Sequence, residues 1–172
     1  MRFNAIVGEV MKTDIKCVEP GESIEKAAQI MRTHKIGSVV VKDKNVHGIV
    51  TTSDIVYKHV AEKKGHVVND VMTTDLITIS PSMSIEDAAR LMVKKKIEKL
   101  LVFDKGKMVG IITNNDIISI EPALFEILLE RIKMGGTPQS DMSDYAQCES
   151  CNNYSDSVEE VDGEYICGEC KA

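Results

Sequence analysis

The sequence predicts an α+β protein made of two copies of a β-α-β-β-α unit, followed by a small ribbon domain that a metal ion stabilises. Two observations lead to this prediction: an internal repeat at an offset of 61 residues, and two C-x-x-C pairs near the C-terminus. The chain has 172 residues and a formal net charge of −6, which suits one or two domains.

The repeat fills the first two thirds of the chain. Residues 10–14 align with residues 71–75, and residues 23–31 align with residues 84–92. One inserted residue near Gly106 shifts the offset to 62, after which residues 48–54 align with residues 110–116. Matches this dense indicate that one supersecondary unit occurs twice.

Each copy is predicted to run strand, helix, strand, strand, helix. In the first copy, Ser23 can cap a helix whose apolar face repeats at helical spacing from Ile24 to Met31. Pro20 and Gly21 end the strand before it, and a polar turn joins the next two strands. The predicted strands are 15–18, 38–41, 46–51, 78–80, 99–103 and 108–113, and the predicted helices begin at Ser23, Ser53, Ser84 and Asp116.

These elements suggest five segments. The two repeats are assigned to residues 1–65 and 66–120, and a connecting helix with an apolar stripe is assigned to residues 121–136. Residues 137–144 are polar, contain Pro138 and are interpreted as a flexible tether. The ribbon, residues 145–172, is therefore expected to be displayed rather than fused into the core.

The ribbon prediction depends on four cysteines with the spacing of a tetrathiolate metal site: Cys148, Cys151, Cys167 and Cys170. So short a segment needs a metal or disulfides to fold, and two disulfides are the alternative explanation. The first ten residues do not resemble a secretory signal, so a reducing, cytoplasmic location is expected. We therefore predict zinc, or iron, in a closed shell of four thiolates, with a hairpin that turns near Asp162 and Gly163.

Charge is divided unevenly along the chain. Residues 1–140 carry 20 Lys and Arg against 18 Asp and Glu, whereas residues 141–172 carry one Lys against nine acidic residues. An acidic ribbon is unsuited to nucleic acid, because phosphate binding depends on Lys and Arg. No apolar run reaches the length of a membrane span.

One short motif, G-h-h-T-x-x-D, occurs once in each copy, from Gly48 to Asp54 and from Gly110 to Asp116. Thr51 and Thr113 stand where a strand ends and a helix begins, so their hydroxyl groups suit a phosphate. Asp54 and Asp116 follow three residues later, where a carboxylate can accept the two hydroxyl groups of a ribose. The alternative is that these residues are ordinary helix caps.

This repeated motif resembles the CBS domain, and two tandem copies resemble a Bateman module over residues 8–120. The added four-cysteine segment is similar to prokaryotic proteins that join a CBS pair to a zinc ribbon or rubredoxin-like domain. The resemblance implies a homodimer and an adenosine ligand (AMP, ATP or S-adenosylmethionine) in the cleft between the copies. It places adenine against Cys17, Val18, Ile36, Gly37 and Ser38 in the first copy, and against Thr78, Ile79, Ile97, Glu98 and Lys99 in the second.

We therefore predict a non-catalytic regulatory protein that senses an adenosine compound and presents its acidic ribbon to a partner protein. The sequence contains no Gly-rich P-loop, nucleophile elbow or Ser-His-Asp set that would indicate an enzyme. One alternative is an electron-transfer protein with iron in a rubredoxin-like site. Another is a CBS-linked transcriptional regulator.

Overall fold

The computed structural model describes residues 5–120 and 145–171. The predicted connecting helix and linker, residues 121–144, lie outside the described residues. Contacts divide the chain into two compact units: one is Asp14–Leu76, and the other joins Met1–Thr13 to Ile77–Ala172. The compact units do not test where one repeat ends and the next segment begins, so the boundaries at residues 65 and 120 stay predictions.

The secondary structure follows the repeated pattern. Residues 5–76 form α1 (Val7–Val10), β1 (Cys17–Val18), α2 (Ile24–His34), β2 (Ser38–Lys42), β3 (Val46–Thr51), α3 (Thr52–Asp54), which continues as a π-helix (Ile55–Ala61), and α4 (Val68–Val71). Residues 77–120 form β4 (Thr78–Ile79), α5 (Ile85–Lys95), β5 (Lys99–Asp104), β6 (Lys107–Thr113) and α6 (Asn114–Ile120). Among the helices of the described residues, none is long and apolar enough to cross a membrane.

The first unit has a three-stranded sheet in the order β1-β2-β3. Strand β1 is parallel to β2, and β2 is antiparallel to β3. Helix α2 begins at Ser23, whose hydroxyl accepts the Lys26 N–H at 3.2 Å, and it buries Ile24, Ala27 and Met31. The helix ends at Lys35, whose φ of 53° is left-handed.

The second unit repeats this arrangement, with its sheet in the order β4-β5-β6. Ser84 caps α5 by accepting the Asp87 N–H at 3.0 Å, and Lys96 ends the helix at a φ of 55°. Equivalent residues therefore cap and end the helix in both copies. The predicted β-α-β-β-α pattern is confirmed in each.

The four-residue helices α1 and α4 were not expected from the sequence. Each lies before the first strand of one copy but belongs to the compact unit that contains the sheet of the other copy. Val7 of α1 is buried in the core that contains Ile79, and Val68 and Val71 of α4 are buried in the core that contains Val18. Each core therefore needs a segment from outside its own β-α-β-β-α run.

The ribbon consists of two short hairpins and a final helical turn. Its elements are β7 (Ala146–Gln147), β8 (Tyr154–Ser155), β9 (Val158–Val161), β10 (Glu164–Cys167) and α7 (Gly168–Lys171). Strands β9 and β10 pair across Asp162 and Gly163, whose φ values are 52° and 90°. Two positive φ angles are typical of a tight hairpin turn, so the predicted turn is confirmed.

Two glycines allow the residues that follow α4 and α1 to lie close to the sheets. Ile49 exchanges backbone hydrogen bonds with Thr73 at 3.0 and 2.9 Å. A Cβ atom at Gly48 would lie 2.7 Å from the Thr73 carbonyl oxygen and 2.8 Å from the Met72 sulfur. At Gly110, the equivalent Cβ would meet the movable Met11 side chain at 2.3 Å.

We expect Gly48→Ala to lower the free energy of unfolding by about 1–3 kcal/mol, because the added methyl group collides with backbone that a paired segment holds in place. Gly21→Ala is the matched control, since no atom lies within 4 Å of a Cβ there. Urea unfolding followed by circular dichroism measures both. Equal stability of the two variants would contradict the close approach.

Candidate functional site

The motif of the first copy forms a closed set of hydrogen bonds where β3 meets α3. The Thr51 N–H and hydroxyl donate to Asp54 Oδ2 at 2.9 and 2.6 Å. In return, the Asp54 N–H donates to the Thr51 hydroxyl at 3.1 Å. The pair therefore forms a reciprocal helix cap, and the cap leaves Oδ1 of the carboxylate for other partners.

The second copy reproduces this geometry. The Thr113 N–H and hydroxyl donate to Asp116 Oδ2 at 2.9 and 2.6 Å, and the Asp116 N–H donates to the Thr113 hydroxyl at 3.3 Å. The same residues at the same spacing thus make the same reciprocal cap in both copies.

The remaining carboxylate oxygen binds a lysine in each copy, but the two lysines differ in origin. Asp54 Oδ1 lies 2.7 Å from Lys58 Nζ and accepts a 3.2 Å hydrogen bond from the Thr73 hydroxyl. Asp116 Oδ1 lies 2.7 Å from Lys12 Nζ. Lys58 is on the π-helix that follows Asp54, whereas Lys12 follows α1.

Asp54 is a buried carboxylate that stays charged. Burial raises its pKa, but hydrogen bonds from Lys58 and Thr51, together with the Lys58 charge, outweigh burial and hold the pKa below its ordinary value. The charged carboxylate has one oxygen bound in the cap and the other bound to Lys58, and a carboxylate oxygen can accept hydrogen bonds from hydroxyl groups.

Strand register brings several predicted first-copy residues close to this cap. Ser38 lies opposite Thr51 in the β2–β3 pair, and the Thr52 N–H donates to the Gly37 carbonyl at 3.1 Å. No atom lies within 4 Å of a Cβ built at Gly37. Cys17 is exposed on β1, whereas Val18 is in the core. Space beside the cap is therefore open at Gly37.

The second copy has the same register but different side chains. Lys99 lies opposite Thr113, and the Asn114 N–H donates to the Glu98 carbonyl at 3.1 Å. Ile97 is partly buried against the core and Ile79 is fully buried. Long charged side chains stand where the first copy has Gly37 and Ser38.

A cavity of about 360 Å³ lies between α2 and the helix that follows β3. It is lined by Ala28, Met31, Arg32, Lys35, Ile36, Thr52, Ile55 and Val56. Of the predicted adenosine-contact residues, Ile36 alone lines it. Sequence reasoning did not anticipate this cavity, because its lining combines residues from two helices that the repeat pattern treats separately.

The four C-terminal cysteines converge as predicted. Cys148 and Cys151 lie between β7 and β8, Cys167 ends β10, and Cys170 lies in α7. Their sulfurs all lie within 4.8 Å of one another. The Cys151 and Cys167 sulfurs are 3.8 Å apart, which matches the tetrahedron edge of about 3.8 Å that zinc–sulfur bonds of about 2.3 Å require. The residues fit a tetrathiolate metal site.

Backbone groups around the first C-x-x-C pair shape it for metal binding. The Cys167 N–H donates to Cys148 Sγ at 3.3 Å, and the Asn152 N–H donates to the Cys148 carbonyl at 2.8 Å. Burial raises the pKa of the Cys148 thiol, but neighbouring backbone N–H groups lower it to about 6. Burial raises the pKa of Cys151 and Cys167. No disulfide joins any of the five cysteines, all of which are among the described residues.

The ribbon packs on the second copy of the repeat and shares one compact unit with it, whereas the sequence led us to expect a ribbon displayed away from the core. Tyr145 and Tyr154 pack against the hydrophobic core of that unit. The Tyr145 hydroxyl donates to Asp87 Oδ1, and the Lys95 ammonium lies 4.3 Å from the Tyr154 ring centroid. Burial and the Asp87 carboxylate raise the pKa of Tyr145 above its ordinary value. The two tyrosines were the sequence signal for this contact.

The fold and the two sites define a class: tandem α+β repeats with a Thr–Asp cap in each copy and a C-terminal four-cysteine ribbon. The sequence matches the CBS domain family over residues 7–60 and 68–122. The chain therefore belongs to the CBS domain family, as the sequence resemblance predicts.

Comparisons with known proteins agree on the tandem repeat. The chain is 35% identical to an uncharacterized protein of Methanopyrus kandleri over 95% of this chain and 89% of that protein. It is 37% identical to the inosine-5'-monophosphate dehydrogenase of Korarchaeum cryptofilum, but over only 60% of this chain and 22% of the enzyme. The similarity to that enzyme is thus limited to a part the size of the CBS pair.

Two similar solved structures contain adenosine compounds. CBSX2 in complex with AMP has a TM-score of 0.60 and 27% identity, covering 70% of this chain and 98% of CBSX2. The CBS domain pair of protein MJ0100, in complex with 5'-methylthioadenosine and S-adenosyl-L-methionine, has a TM-score of 0.64 and 25% identity, covering 69% of this chain and 97% of that chain.

We expect Asp54→Asn to destabilise the protein at pH 7 by about 1–3 kcal/mol, since hydrogen bonds to a charged group are lost. The folded pKa of Asp54 lies below 3.8, its ordinary value. Its stabilising contribution is therefore present above pH 3.8 and disappears as the pH falls through the folded pKa.

Urea unfolding at pH 7 and pH 3 checks this, with exposed Asp75→Asn as the control. A stability difference between wild type and Asp54→Asn that stays constant or grows on acidification would contradict the charged cap.

We expect Cys167→Ser to reduce bound metal from about one equivalent to nearly none, because three thiolates no longer complete the shell. Cys17→Ser should retain full metal, since Cys17 is exposed and outside the cluster. Elemental analysis measures metal content, and colour distinguishes iron from zinc. Retention of a full equivalent by Cys167→Ser would exclude the tetrathiolate assignment.

Proposed function

We propose that this chain is a non-catalytic regulatory protein that binds an adenosine nucleotide or derivative through its CBS repeats and presents a tetrathiolate metal ribbon to a partner protein. The observation that carries the proposal is the Thr51–Asp54 cap beside the open backbone of Gly37. The AMP complex of the related CBSX2 structure supports the choice of ligand.

In the first repeat, each proposed contact has a physical reason. The Thr51 hydroxyl would donate to phosphate after releasing Asp54 Oδ2, its acceptor at 2.6 Å. The Asp54 carboxylate accepts the ribose hydroxyl groups. Because Oδ1 is bound to Lys58 at 2.7 Å, the ribose would displace that lysine. Exposure of Cys17 and the absence of a side chain at Gly37 leave room for a flat base. Adenine contacts are assigned to Cys17, Val18, Ile36, Gly37 and Ser38.

The second repeat is assigned the equivalent residues Thr78, Ile79, Ile97, Thr113 and Asp116. Its cap has the same geometry, with Lys12 in place of Lys58 at the second carboxylate oxygen. The long Glu98 and Lys99 side chains replace Gly37 and Ser38, so the two repeats would not bind the same ligand with equal affinity.

Partner contacts are assigned to two surfaces. The first unit exposes Val56, Tyr57 and Val60 by 52–65% on its π-helix, and such an apolar surface supports a homodimer. The ribbon exposes several acidic residues: Glu149, Glu159, Glu160, Asp162 and Glu164. A protein partner with a basic surface would complement them.

We expect AMP, ATP or S-adenosylmethionine to bind wild-type protein with micromolar affinity, and Asp54→Ala to weaken first-repeat binding at least tenfold, because the ribose loses its charged acceptor. Isothermal titration calorimetry of metal-loaded protein measures this. Asp116→Ala is expected to weaken binding at the second repeat in the same way.

Asp75→Ala is the control, since Asp75 is exposed and outside the motif. No heat of binding with any of these compounds, at protein concentrations of about 0.1 mM, would overturn the proposal.

A further inference from the structure

The ribbon covers the edge of one of two equivalent strands. Thr78, which begins β4, aligns with Cys17, which begins β1. The Thr78 hydroxyl donates to the Asn152 carbonyl of the ribbon at 3.2 Å. Cys17 is exposed, and its thiol makes a local 3.7 Å contact with the Ile15 carbonyl, with no hydrogen bond to the described part of the ribbon. The repeats therefore differ at a residue proposed to contact the ligand.

The residue that accepts from Thr78 belongs to the metal-binding turn. Asn152 directly follows Cys151 and has a left-handed φ of 60°. Its N–H donates to the Cys148 carbonyl at 2.8 Å, and the Cys148 N–H donates to the Asn153 carbonyl at 2.9 Å. The position of the Asn152 carbonyl is thus fixed by the same turn that brings two metal-ligating sulfurs together.

Asn153 adds a second contact between this turn and the second repeat. Its side chain is only 7% exposed, and Nδ2 donates to the Phe103 carbonyl in β5 at 3.3 Å. Because β5 pairs with β4, the first C-x-x-C turn holds two neighbouring strands of one sheet.

The other C-x-x-C pair holds the segment after β4. Glu169 lies between Cys167 and Cys170, and its carboxylate accepts the Ser80 hydroxyl at 3.0 Å and also the Ser82 hydroxyl. Thr78 and Ser80 lie on either side of Ile79, the buried residue of the two-residue strand β4. Both halves of the metal site therefore hold β4, one before and one after its buried residue.

We propose that metal occupancy of the four-cysteine centre controls ligand binding at the second CBS repeat, by fixing β4 through Asn152 and Glu169, and leaves the first repeat unaffected. This inference rests on the proposed function, since Thr78 and Ile79 are assigned there as ligand contacts. A strand held in its binding conformation loses less entropy when the ligand arrives. Metal loss releases both turns, and β4 then keeps its pairing with β5 and the buried Ile79 but loses the contacts with the ribbon.

The first test measures β4 without any ligand. Hydrogen exchange of residues 78–84 is compared between zinc-loaded protein and protein stripped by a chelator, with residues 17–23 as the internal control. We expect exchange in 78–84 to accelerate at least tenfold on metal removal while 17–23 stays unchanged. Unchanged exchange in 78–84, with ribbon residues 146–171 fully exchanging, overturns the proposal.

A variant that keeps the metal separates docking from ribbon folding. Thr78→Val with Ser80→Ala removes two of the three hydroxyl hydrogen bonds that the repeat donates to the ribbon, keeps that of Ser82, and leaves every cysteine in place. We expect full zinc content and about five- to tenfold faster exchange in 78–84, the effect of one or two lost hydrogen bonds. Cys17→Val is the matched control at the equivalent position of β1. Wild-type exchange rates in the double variant contradict the proposal.

The second test measures ligand affinity. Titration of AMP and S-adenosylmethionine into Asp54→Ala protein reports on the second repeat, and titration into Asp116→Ala reports on the first. We expect zinc removal to weaken binding at least tenfold in Asp54→Ala only. Equal or tighter binding to Asp54→Ala protein after zinc removal overturns the coupling. If the zinc-loaded wild type and both zinc-loaded variants bind neither compound, the proposed function is overturned. The hydrogen-exchange result then decides whether the metal holds β4.

Discussion

The reciprocal cap between a threonine and an aspartate is the interaction on which both repeats depend. It joins the last residue of a sheet to the first turn of a helix, and it satisfies backbone N–H groups that burial would otherwise leave without partners. In the first repeat it also holds a buried negative charge whose cost is offset by Lys58 and Thr73. The helix direction and the open backbone beside Gly37 follow from this junction, because the Thr52 N–H binds the Gly37 carbonyl.

The two aligned repeats nevertheless acquire different surroundings. The cap of the first repeat is neutralised by a lysine from its own helix, and the cap of the second by Lys12, which lies before the first strand of the first repeat. The ribbon adds a larger difference, since it packs on α5 and β4 of the second repeat. Duplication provides two equivalent frameworks, and the segments that precede and follow them make the two sites unequal.

Much of the fold could be predicted because the repeat gives each element two independent observations. Ser23 and Ser84 both begin helices, and Asp162-Gly163 turns a hairpin, for local reasons that short stretches of sequence contain. The metal cluster was predictable because four thiols at this spacing have few other arrangements. Helices α1 and α4 were not, since four residues show no period. The packing of Tyr145 and Tyr154 was also missed, because an aromatic residue indicates burial without naming the surface that buries it.

The π-helix at Ile55–Ala61 affects which side chains the first repeat exposes. A wider turn rotates every following side chain about the helix axis. The described residues that align with the start of this stretch, residues 117–120, lie in a regular α-helix. Val56 is exposed on this helix, whereas the aligned Ile118 is partly buried against the core of the second unit. A partner that recognises Val56 and its apolar neighbours therefore does not meet the same surface at the aligned, described residues of the second repeat.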